Sequence, residues 1–318
     1  MKTRAEEGRP QLTVLPALSL DAFDRRFPDD NACKQYLADV RWPDGPRCAR
    51  CDNEKVYAVK GRPFTWVCKK CGKTPYRFSV LVGTVFKDTK MPLRAWFKVA
   101  YLMLSSKKGM SALQVYRMMA RTHGADYRTY WFMCMRLRAA MQNGEFEQLV
   151  GKVVEIDETF IGGKQANRHA NVRAKYSGRG AADTGKVTVI GAIARKGNVV
   201  AQVIENTSAE TLSLFVEKTI ADNVTLIATD EYAGYTDLKH FYPHETVHHR
   251  SGEYVRGNVH TNNIENFWSL LKRGVMGTFH NVSKDYLPLY LNEFTFRHNF
   301  RHEPDQFRQL ISSVHQKN

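Results

Sequence analysis

The chain has 318 residues, about twice a typical domain length, which predicts two or three folded units. Charged residues interrupt its apolar stretches well before the ~18 residues of a membrane span, and no secretion signal opens it, so we expect a cytoplasmic, nucleoid-associated protein without a membrane partner. Its formal net charge of +15 and pI near 9.5 indicate a polyanionic partner such as nucleic acid, although simple solubility is an alternative.

Four of the six cysteines form two Cys-x-x-Cys pairs, Cys48 with Cys51 and Cys68 with Cys71, with sixteen residues between the pairs. Two facing pairs supply the four thiolates of one tetrahedral structural Zn²⁺ site, and the residues between them predict two short strands. Two disulfides are the alternative, but the expected reducing compartment favours zinc. We therefore predict an N-terminal tail at 1–21 and a zinc-ribbon domain at 22–90.

Helical spacing of apolar residues runs from Pro92 to Met141 and predicts a helical module at 91–148. Ser111 is the predicted N-cap of a helix, and Gly124 and Asp126 mark the turn before the next one. Two helices joined by a short turn indicate a helix-turn-helix-like module that reads DNA, but an ordinary packing module has the same periodicity. The later helix carries Arg128, Arg136 and Arg138, of which Arg128 and Arg136 are the candidate DNA contacts.

After Gly151 the pattern changes to short strands rich in Val and Ile. Three such strands precede a helix capped near Ser208, a buried strand that ends at Asp230, and a long amphipathic helix over NNIENFWSLLKRGV. This order predicts an α/β fold of the ribonuclease H-like type, with a mixed sheet and helices, at 149–302. A C-terminal tail at 303–318 would follow.

Three acids carry the expected chemistry of this domain. Asp157 interrupts the first strand, Asp230 closes the fourth strand, and Glu265 lies thirty-five residues later at the start of the last helix. In a ribonuclease H-like sheet the first and fourth strands are neighbours, so the two aspartates would repel each other unless a cation lay between them. We predict a site for two Mg²⁺ or Mn²⁺ ions. Glu158 and Glu231 adjoin the aspartates but should face elsewhere.

Seven stretches between residues 22 and 302 match one known group of proteins. They are RWPDGPRCARC, CKKCG, FSVLVGTVFKDTKMPLRAWF, VVEIDETFIGGK, ATDEYAGY, VHTNNIENFWSLLKRGVMGTFH and YLNEFTFRHNFR. The chain thereby resembles bacterial insertion-sequence transposases with a zinc ribbon and a DDE domain, which are related to the Merlin superfamily. The resemblance implies that Asp157, Asp230 and Glu265 are the catalytic acids; some relatives carry Asn at the third position.

Candidate DNA contacts lie close to these acids. Lys272 matches a basic residue that the resembled family places two helical turns after the third acid, and Arg273 adjoins it. The loop between the first two strands is rich in Gly, Lys and Arg, and either holds the DNA backbone or is merely solvated; its candidates are Lys164, Arg168, Arg173 and Lys175. His249 and His260 also match family positions and either orient a phosphate or serve structure.

The resemblance implies a DNA transposase that cuts the ends of a mobile element and joins the freed 3′-hydroxyls to target DNA. Its partners would be double-stranded DNA, as terminal inverted repeats and as target, and further copies of the chain, because two element ends must be held together in a dimer or larger oligomer. The alternatives are a ribonuclease H-like endonuclease without strand transfer and a DNA-binding regulator derived from a transposase.

Overall fold

The structure is a computed structural model that describes residues 18–142, 148–149, 151–163, 185–248, 251, 255–257 and 259–315. The chain divides into two compact units, one formed by residues 1–141 with 300–318 and the other by residues 142–299. In the described ranges, no helix combines the length and the apolar character needed to cross a membrane.

Helices dominate the first unit and a five-stranded sheet organises the second. The helices are α1 (Leu20–Arg26), α2 (Asp30–Arg41), α3 (Leu93–Ser105), α4 (Ala112–His123), α5 (Tyr127–Ala140), α6 (Ala209–Thr219), α7 (Asn262–Gly274), α8 (Leu287–Asn299) and α9 (Gln306–Ser313). The strands are β1 (Val56–Ala58), β2 (Thr65–Cys68), β3 (Tyr76–Ser79), β4 (Val153–Ile161), β5 (Val187–Ala194), β6 (Val199–Ile204), β7 (Leu226–Asp230) and β8 (His244–Val247). A 3₁₀ helix spans Ala233–His240, and a π-helical turn, Val275–Phe279, extends α7.

The ribbon of the first unit is a small antiparallel sheet in the order β1-β2-β3. The two strands predicted between the cysteine pairs are β1 and β2, and β3 adds a third strand after the second pair. Trp42, Trp66 and Phe78 pack around the buried cysteines, with the two indole rings 5.3 Å apart. Because so few side chains are buried here, bound metal would supply much of the stability of this sheet.

The helical segment predicted from Pro92 to Met141 forms α3, α4 and α5, and the ends of these helices follow local sequence signals. Ser111 caps α4 by accepting a hydrogen bond from the amide of Gln114 at 3.2 Å. Gly124 ends α4 in the left-handed conformation, with a φ of 63°. Asp126 caps α5 by accepting from the amide of Thr129 at 2.9 Å. Two helices joined by a short turn are therefore present, and their role in reading DNA remains a prediction.

An aromatic cluster forms the centre of the helical part of the first unit. The ring of Phe307 on α9 lies 5.6 Å from that of Phe27 and 5.4 Å from that of Phe97. The sequence pattern predicts a tail at 303–318, but a helix occupies half of this segment because its apolar side is buried among these rings.

The sheet of the second unit has the strand order β6-β5-β4-β7-β8. Strands β4, β5 and β6 are antiparallel neighbours, whereas β7 and β8 run parallel to β4. This arrangement, with the first and fourth strands adjacent at the centre, is that of a ribonuclease H-like domain, and the predicted fold class is confirmed. One face of the sheet packs with α6 and the 3₁₀ helix, and the other face packs with α7 and α8.

Candidate active site

Strand β4 places Asp157 on the sheet face that α7 covers. Side chains alternate along a strand, and Val154 and Ile156 lie in the core shared with α6. Glu155 and Asp157 therefore point to the opposite face, where α7 packs. This alternation is visible in the sequence, and the structure adds which helix stands above each face.

Asp230 ends strand β7, the parallel neighbour of β4. Glu155 pairs with Ala228 in this register, so two further residues along each strand bring Asp230 level with Asp157. Both aspartates then share one face, and neighbouring strands are only about 4.8 Å apart. The expectation that the first and fourth strands bring the two aspartates together agrees with this geometry.

Glu265 lies in the first turn of α7, and its carboxylate accepts a hydrogen bond from the hydroxyl of Thr261 at 2.7 Å. One turn later, the buried indole of Trp268 packs against Gly191 of β5. Gly191 is the register partner of Asp157. The helix that carries the third acid therefore rests on the sheet directly beside the strand that carries the first.

The electrostatics of Asp157 connect the three acids. Burial, followed by the negative charges of Glu158, Asp230 and Glu265, raises the pKa of Asp157 from its ordinary value of 3.8 to about 7. Carboxylates shift one another in this way only when they lie close together in a partly desolvated place. A cation bound among them would favour the ionised form of Asp157 and remove the repulsion.

Glu158 belongs to the other face of β4, as its place in the alternation predicts. It accepts a hydrogen bond at 2.5 Å from the hydroxyl of Tyr235, a fully buried residue of the 3₁₀ helix. Burial is the main cause that raises the pKa of Glu158 to about 7. Glu158 therefore adds negative charge beside Asp157 while its side chain stays attached to the 3₁₀ helix.

The donor set of the three acids fits a hard divalent cation. All the donors are carboxylate oxygens, which suit Mg²⁺ or Mn²⁺ and leave excess negative charge when no ion is bound. Within the described residues, only the four ribbon cysteines bring at least three ligand atoms as close together as one ion requires. The three acids thus lie near one another without converging on a point, as repulsion between like charges favours.

Glu155 is a buried acid of this site that the sequence reasoning passed over. Its carboxylate is fully buried and accepts hydrogen bonds from Arg195 Nε and Asn263 Nδ2, each at 2.7 Å. His260, predicted as a secondary site residue, has Nδ1 3.2 Å from Glu155 Oε1, without the alignment of a hydrogen bond. A signal existed in the sequence, because an acid two residues before Asp157 in an apolar strand must share its face.

The predicted DNA contacts of this unit fall into two groups. Lys272 and Arg273 are exposed on α7, two helical turns beyond Glu265. Lys164, Arg168, Arg173, Lys175 and His249 lie outside the residues that the structure describes.

The arginines predicted on α5 differ in their exposure. Arg128 is exposed, and Arg136 is half-buried and donates to the carbonyl of Lys87 at 3.2 Å. Arg138 is fully buried, and its guanidinium donates to the carbonyl of Met110 at 3.4 Å. Packing of α5 therefore turns the third arginine of this helix inward, whereas Arg128, a predicted DNA contact, faces solvent.

The four ribbon cysteines form a compact thiol cluster. Their Sγ atoms all lie within 4.8 Å of one another, and none of the four is in a disulfide. The Sγ atoms of Cys48 and Cys71 are 3.2 Å apart, and those of Cys51 and Cys71 are 3.1 Å apart. Four thiols from two knuckles in this arrangement fit one tetrahedral Zn²⁺ ion, and disulfide pairing is contradicted.

Two known families match the parts of the chain that carry the acids and the cysteines. Residues 148–299 match the ISXO2-like transposase domain, and residues 28–74 match the transposase zinc-ribbon domain. The chain belongs to the zinc-ribbon transposases with an ISXO2-like domain. The resemblance to insertion-sequence transposases that the sequence motifs indicated is therefore confirmed, and the transposase domain covers all three acids.

Two individual proteins resemble this chain to different degrees. An uncharacterized protein in transposable element ISH50 of Halobacterium salinarum is 28% identical over 294 residues, which cover 88% of this chain and 94% of that protein. A chain in the structure of the simian T-cell lymphotropic virus intasome in complex with PP2A regulatory subunit B56 gamma matches 70% of this chain and 73% of its own length, with 13% identity and a TM-score of 0.30. A likeness this weak carries no argument.

Proposed function

We propose that this transposase cuts DNA at the ends of an insertion sequence and joins the freed 3′-hydroxyls to target DNA, with Asp157, Asp230 and Glu265 as its catalytic acids. The observation that carries the proposal is that Asp157 and Asp230 lie level on adjacent strands of a ribonuclease H-like sheet, with Glu265 close enough for its charge to act on Asp157. Membership of a transposase family supports the reaction class.

The three acids would hold two Mg²⁺ or Mn²⁺ ions, which supply Lewis-acid activation of the attacking and leaving oxygens. Asp157 and Asp230 would hold their oxygens on rigid adjacent strands, and Glu265 would close the site from α7. In cleavage, water oxygen bonds to phosphorus and the P–O3′ bond breaks, which leaves a 3′-hydroxyl. In joining, that 3′-oxygen bonds to a target phosphorus, whose own P–O3′ bond breaks.

DNA binding is supported by the charge of the zinc ribbon. Between residues 50 and 77, eight Lys and Arg side chains are exposed against two exposed acids, Asp52 and Glu54. Both acids already pair with Arg47, at 3.5 and 2.9 Å. The eight exposed cations are Arg50, Lys55, Lys60, Arg62, Lys69, Lys70, Lys73 and Arg77. We infer that the ribbon, kept folded by Zn²⁺, contacts DNA phosphates.

The test is cleavage and joining of a labelled duplex that carries the terminal repeat of the element, with Mg²⁺ and a target plasmid. Wild type is compared with Asp157→Asn, with Asp230→Asn and with Glu217→Gln, a control that neutralises an exposed acid on α6. We expect joined product from wild type and the control, and none from the two aspartate variants.

Two outcomes would contradict this proposal in different ways. Cleavage without joining, under varied targets, would indicate a ribonuclease H-like endonuclease. Binding of the repeat with no strand scission in any variant would indicate a DNA-binding regulator. We also expect two or more copies of the chain in each complex with DNA, as measured by mass photometry.

A further inference from the structure

Helix α7 has an unusual N-terminus, because its cap comes from another element. The N-cap residue, Thr261, makes no side-chain hydrogen bond to the helix amides, and its hydroxyl instead donates to Glu265. The amides of Asn263 and Ile264, which an N-cap side chain ordinarily satisfies, donate to Glu155 Oε2 at 2.8 and 3.3 Å. A strand residue therefore caps the helix.

The carboxylate of Glu155 is well matched to this place. It is fully buried, and an uncompensated charge there would be strongly unfavourable. The guanidinium of Arg195 compensates it at 2.7 Å, and the positive end of the α7 dipole favours an anion at the first turn. Charge-assisted hydrogen bonds of this kind are stronger than neutral ones and define direction.

The same carboxylate connects the strand that carries one proposed catalytic acid to the helix that carries another. Glu155 precedes Asp157 by two residues on the same face of β4, and Asn263 precedes Glu265 by two residues on α7. Arg195 also donates from Nη2 to the carbonyl of His260 at 3.2 Å, which ties down the segment that enters α7. Glu155 therefore links the strand of Asp157 to the helical turn that carries Glu265.

We propose that Glu155 is a positioning residue that holds Glu265 at the distance from Asp157 needed for shared metal binding. The inference rests on the proposed function, because it takes Asp157 and Glu265 to be the metal-binding acids. Glu155 itself is occupied by Arg195 and by α7, so its role is to orient other groups. Outer groups that orient metal ligands commonly change metal affinity by roughly 10–100-fold when they are replaced.

The test measures Mn²⁺ binding by isothermal titration calorimetry on the zinc-loaded full chain, with Glu155→Gln as the main variant. A glutamine removes the charge and turns an NH₂ group toward groups that are themselves donors. We expect Mn²⁺ to bind at least roughly tenfold more weakly, and metal-dependent cleavage to recover in part at high Mn²⁺. Hydrogen exchange of the peptide covering residues 261–266 should become faster, because the first-turn amides lose their acceptor.

The matched control is Glu293→Gln on α8. Glu293 is also fully buried and also pairs with an arginine, Arg297, at 2.8 Å, but this partner lies one turn away on its own helix. We expect Glu293→Gln to lower stability while Mn²⁺ affinity stays within about twofold of wild type. Equal weakening by both variants would overturn the proposal, since it would reduce the effect to general destabilisation.

Two further variants keep the result decisive. Glu155→Asp preserves the charge beside Arg195 but is one methylene shorter, so a folded variant with wild-type Mn²⁺ affinity and exchange would overturn the proposal even if Glu155→Gln does not fold. Asp157→Asn defines the binding signal of the acidic site. Loss of that signal in Asp157→Asn without weakening in either Glu155 variant refutes the positioning role alone, whereas an unchanged signal in Asp157→Asn refutes the proposed function.

Discussion

Gly191 offers a quantitative test of how closely α7 rests on the sheet. A Cβ atom at this position would lie 2.6 Å from both Cη2 and Cζ2 of Trp268, and 3.2 Å from Cδ1 of Ile264. Favourable contacts between carbon atoms occur at about 3.5–4.0 Å, so Gly191→Ala creates an overlap of about 1 Å with two ring atoms. Trp268 is buried and cannot swing into solvent, which leaves displacement of α7 as the main response.

The expected cost of Gly191→Ala is about 1–3 kcal/mol of unfolding free energy, the usual range for added volume in a packed core. If the indole is the cause, the smaller ring of Trp268→Phe should accommodate the new methyl group. The double variant should then lose less unfolding free energy than the two single variants lose in sum, by roughly 1 kcal/mol or more. Displacement of α7 should also weaken Mn²⁺ binding, because Glu265 lies one turn before Trp268.

Urea unfolding followed by far-ultraviolet circular dichroism measures these free energies, and calorimetry measures the Mn²⁺ affinity. The control is Gly277→Ala in the π-helical turn, where an added Cβ meets nothing within 4 Å. The unfolding free energy of this variant should stay within about 0.5 kcal/mol of wild type. Additivity of Gly191→Ala and Trp268→Phe within about 0.5 kcal/mol would show that the close approach of ring and sheet is not the source of the cost.

Three further predictions concern the first unit. Cys68→Ser should lower the zinc content, measured by atomic emission after dialysis, and unfold the ribbon, whereas retention of one tightly held zinc ion would contradict the assignment. Burial, followed by the charge of Arg41, lowers the pKa of His315 from 6.5 to about 4. The folded state thus resists protonation, so the contribution of His315 to the free energy of unfolding is complete above pH 6.5 and is lost toward pH 4, by at most about 1.4 kcal/mol per pH unit. His315→Gln should therefore make the free energy of unfolding, measured with urea, depend less on pH between 6.5 and 4, and an unchanged pH dependence would count against this account. Replacing Lys69 and Lys70 with Ala should weaken binding to duplexes of any sequence. It should also reduce the slope of the logarithm of the binding constant against the logarithm of salt concentration by about one per lost phosphate contact. An unchanged slope, measured by fluorescence anisotropy, would indicate that DNA binds elsewhere.

Much of the fold could be read from residues that lie close together in the chain. The spacing of the cysteines predicts the ribbon because each knuckle is a local turn, and the thiol cluster agrees with it. The helix ends at Ser111 and Asp126 could be predicted because a cap involves residues only three positions apart. The strand and helix order after Gly151 likewise reflects local patterns, so the ribonuclease H-like class could be predicted from the sequence.

Asp157 and Asp230 could be predicted as site residues from the sequence for a related reason. Each interrupts or ends an otherwise apolar strand, and the strand order of the fold makes those strands neighbours. Their pairing with Glu265 depended on the family resemblance and on the expected helix, since thirty-five residues separate it from Asp230. The structure adds that burial and three neighbouring charges act on Asp157.

Other features were decided by tertiary structure alone. The alternation of β4 predicts that Glu155 shares the face of Asp157, but its partners are known only because α7 brings two amides and Arg195 brings a guanidinium to it. Arg138 has the same sequence context as a DNA-facing arginine, but the packing of α5 buries it. The segment after residue 302 lacks a strong pattern of its own, and its helix persists because Phe307 enters an aromatic core built from distant residues. Local spacing therefore determined which elements and ligands exist, whereas contacts between distant residues determined which charged groups are buried and which of them orient the acids.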